Sequence, residues 1–179
     1  KLMAVFTKIN SKDIKKIENI FNLGVINKVE GIKKGIENTN YIIKFNNTKF
    51  VLTIFEKRVK TKDLPFFMNL MSGLSNLKIN CPKPMKTKKK SYLFNIKNKK
   101  ACLVSFLKGN DKKTLTPKDC YVLGKNIAIL HKATKKLKLY RKNSLDVKSW
   151  SNLNKKIDRR INKLSKNLKN IIEENITKY

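Results

Sequence analysis

Acidic residues are scarce in this chain: 12 Asp and Glu stand against 43 Lys and Arg, a formal net charge of +31 over 179 residues. Arginine is scarce as well. Only four of the 43 cations are arginine (Arg58, Arg141, Arg159, Arg160), and arginine is the side chain that grips phosphate forks and base edges. Lysine spread along a chain rich in Asn and Ile reads as compositional drift on solvated faces, more than as a nucleic-acid surface. Weak, sequence-independent attraction to polyanions follows from the charge in either case. Histidine occurs once, at His131, and cysteine three times, at Cys81, Cys102 and Cys120, with no CxxC pair. This argues against a zinc site and against a disulfide framework. The three cysteines are expected to be buried thiols in a reducing compartment. No run of about 18 apolar residues exists, so no membrane span is expected. The opening KLMAVFTKIN lacks the apolar stretch of an export signal, which makes the cytoplasm the expected compartment.

What is present is a foldable chain. Hydrophobic residues make up 40% of it, and its length suffices to bury a real core. Ser11 is expected to cap a helix running to about Asn22, with Ile14, Ile17, Ile20 and Phe21 on one face and Gly24 as a stop. Three strand-like runs follow, Ile26 to Gly31, Tyr41 to Phe45 and Phe50 to Phe55, joined as an antiparallel meander with Asn46-Asn47 at one turn. A helix is expected after Asp63, with Pro65 in its first turn and Phe66, Phe67, Leu70, Met71 and Leu74 on its apolar face. The CPKP stretch breaks the chain before a second strand pair, Tyr92 to Ile96 and Ala101 to Leu107.

Beyond Leu107 the character changes. The polar stretch LKGNDKKTLTP reads as a boundary, and Thr116 is expected to cap a helix ending near His131. A loop is expected over Ser144 to Trp150. One long amphipathic helix is then expected from about Ser151 to Thr177, with Leu153, Ile157, Ile161, Leu164, Leu168, Ile171 and Ile172 on its stripe. The fold class is α+β, in two lobes: residues 1–107 rich in strands, and residues 108–179 helical.

The stretch GIKKGIENTNYIIKF leaves two readings open. Gly35, Glu37, Asn38, Thr39 and Asn40 suit an ordinary hairpin turn, and they equally suit a loop lying over a phosphate. Its surroundings add a resemblance. MAVFTKIN, GIENTNY, FVLTIFEKRV, DLPFFMNLM, INCPKP, LVSFLKG and LGKNIAILHKAT follow one another in one order and spacing. In this the chain resembles bacterial homoserine kinases of the aminoglycoside-phosphotransferase and choline-kinase superfamily, over essentially its whole length from Met3. The resemblance implies a protein-kinase-like fold and ATP-dependent phosphorylation of the L-homoserine hydroxyl, towards threonine. It makes Gly35, Glu37, Asn38, Thr39 and Asn40 the loop over the ATP phosphates, and Val104, Ser105 and Phe106 part of the hinge strand whose backbone meets adenine.

The chain also departs from the superfamily pattern. The strand position that usually carries a phosphate-binding Lys or Arg is Thr53, and its usual acidic partner on the following helix falls near Phe67. Lys57 or Arg58 is the candidate substitute. The Asp and Asn that orient the acceptor hydroxyl and hold Mg²⁺ would come from an HxDxxxxN loop, which this sequence does not contain. His131, followed by KAT, is expected to be a packed helix residue rather than a base. The chain is therefore expected to be the ATP lobe and opening helices of a longer kinase, inactive alone, with an apolar helix stripe exposed and poor solubility. The alternatives are a kinase for another small alcohol, choline or an aminoglycoside, or a non-catalytic basic RNA-binding protein. Low arginine and the lack of an aromatic stripe speak against the last.

Overall fold

The structure is a computed structural model that describes residues 5–35, 37–57, 59–143, 146–161 and 166–178. By packing, the chain divides into two compact units, residues 1–140 and 141–179.

The first unit opens with helix α1 (Ser11–Ile20). Its cap is Asn10, not Ser11. The Asn10 side chain accepts the Asp13 N–H at 3.0 Å, and the Asp13 carboxylate accepts the Asn10 N–H at 3.0 Å. Ser11 has Ile14 three residues on and cannot close this reciprocal box. The helix ends at Ile20, ahead of Gly24, because Phe21 turns into an extended conformation. That places its ring, 2% exposed, edge-on to Phe94 at 5.3 Å.

Five strands follow the period-2 pattern: β1 (Ile26–Gly31), β2 (Thr39–Phe45), β3 (Thr48–Ile54), β4 (Phe94–Ile96) and β5 (Lys99–Ser105). They form one antiparallel sheet in the order β1-β2-β3-β5-β4. The meander is as expected, with β2 starting two residues earlier than its apolar run. Asn46 turns the β2–β3 hairpin at φ 47, a conformation asparagine tolerates better than most residues.

Alternation gives the sheet two covered faces. On one, Tyr41, Ile43, Phe45, Phe50, Leu52, Ile54, Ala101 and Leu103 close a core with Ile17 and Phe21 of α1. On the other, Cys102 and Val104 pack with Met68 of helix α2 (Leu64–Asn76), joined by Val51, Phe67 and Met71. Pro65 lies in the first turn of α2 as expected. Helix α3 (Pro117–Lys135) is capped by Thr116 with Asp119 in a second reciprocal box, and it runs one turn past His131. Just past its end, Leu137 packs on α2 at Gly73: a Cβ on Gly73 would lie 2.7 Å from the leucine Cδ2.

Three expectations are corrected here. His131 is exposed, because α3 turns that face to solvent. Of the cysteines only Cys102 is fully buried; Cys81 is half-buried and Cys120 lies exposed on α3. Burial pushes the Cys102 thiol up to about 12. The single long C-terminal helix is two helices, α4 (Val147–Ile161) and α5 (Lys166–Thr177), which together make the second unit. Trp150, Leu153 and Asn154 of α4 share a hollow with Ile171, Ile172, Asn175 and Ile176 of α5. The two helices therefore pack together at these residues. The expected Ser144–Trp150 loop is already helical from Val147. Ser144, Leu164 and the side chains of Ile157 and Ile161 lie outside the described residues.

Candidate functional site

The β1–β2 connection carries the candidate site. It leaves the sheet at Ile32, whose N–H donates to the Asn40 carbonyl at 2.9 Å. Gly35 then adopts φ 146, a conformation L side chains rarely reach. Lys33, Lys34 and Gly35 are exposed, and among the described residues their N–H groups have no acceptor. A lysine-flanked loop with open amides is a physical cradle for an anion. Lys34 also reaches forward to Asp111 of the connector after β5, at 3.2 Å, with both side chains nearly fully exposed.

The loop's exit is firmly tied. The Glu56 N–H donates to Asn38 Oδ1 at 3.2 Å. Asn40 lies opposite Thr53 in the sheet register, and the Thr53 hydroxyl donates to Asn40 Oδ1 at 2.8 Å. This pair is on the α2 face of the sheet, which also carries Cys102 and Val51. Thr39 points the other way and is fully buried. Its hydroxyl accepts the N–H groups of Phe6 and Thr7, each at 3.0 Å, and donates to Glu56 Oε1 at 2.7 Å. The Thr39 side chain therefore anchors the loop from behind, and those of Asn38 and Asn40 lie on the opposite side of the strand. Glu37 is exposed.

Thr53 occupies the strand position where the resemblance leads one to look for a cation. Lys57 is exposed and has no ion pair among the described residues, and Arg58 lies outside them. Phe67 stacks edge-on against Phe66 at 5.5 Å. The cation that does engage this corner of the sheet is Lys99, at the start of β5. Its ammonium binds the Glu56 carboxylate and also the Thr7 hydroxyl, at 2.7 Å. Thr7 in turn donates to Glu56 Oε1 at 2.6 Å. Burial by itself would raise the Glu56 carboxyl, but Lys99 and the two threonine hydroxyls outweigh it and hold the group below its usual range.

Sequence reading missed the Glu56–Lys99 cluster because its bonded members are 17 to 92 residues apart. One signal pointed to it. A threonine at the inward position of the Thr39-Tyr41-Ile43-Phe45 alternation must find an acceptor inside the core.

At the end of β5, Val104 is buried against Met68, while Phe106 lies under the Lys49 ammonium at 5.5 Å. The backbone here is largely committed. The Ser105 N–H donates to the Lys83 carbonyl at 2.9 Å, and the Phe106 N–H to the Lys49 carbonyl at 3.4 Å. Among the described residues the Phe106 carbonyl and the Leu107 backbone have no backbone partner. Among the described residues no group of three His, Cys, Asp or Glu side chains could hold a metal ion, and no helix is long and apolar enough to cross a membrane.

Comparison with known proteins gives this geometry its context. Residues 28–173 match the family described as the phosphotransferase enzyme family. A homoserine kinase of Parvibaculum lavamentivorans is 35% identical over 151 residues, 84% of this chain and 47% of the relative. A homoserine kinase of Agrobacterium fabrum is 32% identical over 174 residues, 97% of this chain and 54% of the relative. The chain thus spans about half the length of these curated relatives. Among solved structures, a spectinomycin phosphotransferase in complex with ADP and spectinomycin superposes with a TM-score of 0.60 at 15% identity, over 87% of this chain and 48% of that one. An amicoumacin kinase in complex with AMP-PNP and Ca²⁺ superposes with a TM-score of 0.58 at 17% identity, over 76% and 42%. The five-stranded sheet, its two covering helices and the helices that follow thus have the protein-kinase-like fold of these enzymes. The chain belongs to the phosphotransferase enzyme family.

Proposed function

We propose that this chain is the nucleotide-binding part of a cytoplasmic kinase that transfers the γ-phosphate of ATP to the hydroxyl of L-homoserine. The acceptor assignment rests on the relatives: homoserine kinases at 32–35% identity cover most of this chain. The nucleotide assignment rests on the loop, where Gly35 has a glycine-favouring φ and exposed amides stand between Lys33 and Lys34 and the tied exit at Asn38.

In this reading residues 1–107 form the nucleotide lobe and hinge, and residues 108–179 begin the helical lobe. The amides of residues 33–35 and the side chains of Asn38 and Asn40 take the phosphates, and the end of the Val104–Phe106 stretch takes adenine through the free Phe106 carbonyl and the adjoining Leu107 backbone. Mg²⁺, when bound, neutralises charge on the transferring phosphate. The described residues offer no cluster for it, so the share of the reaction carried here is to bind and orient the nucleotide.

The test is transfer of labelled γ-phosphate from ATP to L-homoserine by the whole gene product, with choline and spectinomycin as competing acceptors. Phosphohomoserine is the expected product. Phosphorylation of another alcohol in preference would replace the acceptor assignment, and failure of the chain to bind ATP would sink the nucleotide reading. The basic surface remains a second reading only if sequence-selective RNA binding survives physiological salt.

A further inference from the structure

The Glu56 cluster does more than close a corner of the core. Four segments meet on one carboxylate: the stretch before α1 through Thr7, the loop exit through Thr39, the residues after β3 through Glu56 itself, and β5 through Lys99. The Glu56 side chain is 10% exposed and that of Lys99 38%. Tyr41 adds a further tie, its hydroxyl donating to the Thr7 carbonyl at 2.8 Å. Pinning the side chain of Glu56 fixes its backbone, and that backbone N–H holds Asn38. Thr39, the next residue, is held by the same carboxylate. Two consecutive residues at the loop exit are thus fixed by one acid.

We infer that Glu56, paired with Lys99, is a positioning residue for the phosphate loop, setting Asn38 and the amides before it so that nucleotide phosphates bind a pre-formed cradle. The inference rests on the nucleotide reading given above. It concerns the phosphates and not the base, because the tied segment is the loop exit, whereas adenine would meet the chain after β5. A loop already fixed loses less freedom when the ligand arrives. The pair is not a strand-lysine and helix-acid pair of the usual kinase kind, since Lys99 opens β5, Glu56 follows β3, and α2 contributes neither member.

The experiment compares ATP and adenosine affinities of the chain by calorimetry, for wild type and for Glu56→Gln, Lys99→Met and Lys99→Arg, with thermal melting alongside. The expected result is a loss of ATP affinity of about tenfold in Glu56→Gln and Lys99→Met. Adenosine affinity should stay within about twofold, and Lys99→Arg should recover most of the ATP affinity because a guanidinium also donates to carboxylate and hydroxyl. Equal losses for ATP and adenosine, in step with melting temperature, would make the cluster merely structural and overturn the inference. So would variants that bind ATP like wild type. Wild-type chain that binds adenosine and ATP equally weakly, with no phosphate contribution, would overturn the nucleotide-loop reading itself and this inference with it.

Discussion

At the scale of single residues, two positions decide whether the loop works. Gly35 holds φ 146, where an added Cβ is strained at a cost of about 1–3 kcal/mol. Gly35→Ala is expected to lower ATP affinity by about tenfold, measured by calorimetry, with little change in melting temperature because the exposed loop relaxes out of the strained conformation and so loses its cradle. An unchanged affinity would mean that the glycine serves the turn alone. Glu56 is the other. Its carboxyl is held below the usual range by Lys99 and by the Thr7 and Thr39 hydroxyls, against the opposing effect of burial. A depressed carboxylate contributes stability that is present above its unfolded value, about 4.3, and is lost as pH falls through the lower folded value. Wild-type melting temperature should therefore drop on acidification below about pH 4.5, and Glu56→Gln should flatten this part of the curve while lying lower at pH 7. A parallel acid profile in the variant would assign the acid sensitivity elsewhere.

At the scale of elements, local chemistry set the ends of helices and tertiary packing set their partners. Both well-defined helix starts use the same device, a polar cap three residues ahead of an aspartate: Asn10 with Asp13, and Thr116 with Asp119. Asn10→Ala should cost about 1 kcal/mol of unfolding free energy, read from urea denaturation. Ser11→Ala should cost clearly less, because Ser11 is already inside the helix. The reverse order would restore Ser11 as the cap. The strands were legible because alternation is strict: Thr39, Tyr41, Ile43 and Phe45 are all buried, and the residues between them are not. The division into α4 and α5 was not legible. The stripe from Leu153 to Ile172 keeps helical spacing throughout, so nothing local marks where α4 stops and α5 begins. Trp150 and Leu153 of α4 instead share a hollow with Ile171 and Ile172 of α5.

At the scale of the whole molecule, charge and apolar exposure set solution behaviour. With +31 on 179 residues, the chain should be retained on heparin or RNA in low salt and released steeply as salt rises, with no preference among RNA sequences. Filter binding across a salt series checks this, and a sequence preference that persists at physiological salt would revive the RNA-binding reading. Helix α3 leaves Tyr121, Leu123 and Ile127 exposed, at 73%, 59% and 43%. An apolar face of that kind favours self-association, so the sedimentation coefficient of the chain should rise with concentration.

Much of the fold and part of the site were written in the sequence. The β-meander, the proline-led helix α2, the capped α3 and the family pattern all depend on spacings within a few residues, where backbone geometry and side-chain period act directly. The candidate loop was visible for the same reason: Gly35, Asn38 and Asn40 lie within one short stretch. What only the tertiary structure decided are matters of long-range contact. The sequence could not say that Thr39 turns inward to a carboxylate while Asn40 turns outward to Thr53, or that His131 and Cys120 face solvent. It could not bring Lys99 to Glu56 across 43 residues of chain. A buried acid chooses its partners by what the packed sheet brings within hydrogen-bond distance, and neighbours along the chain carry no record of that choice.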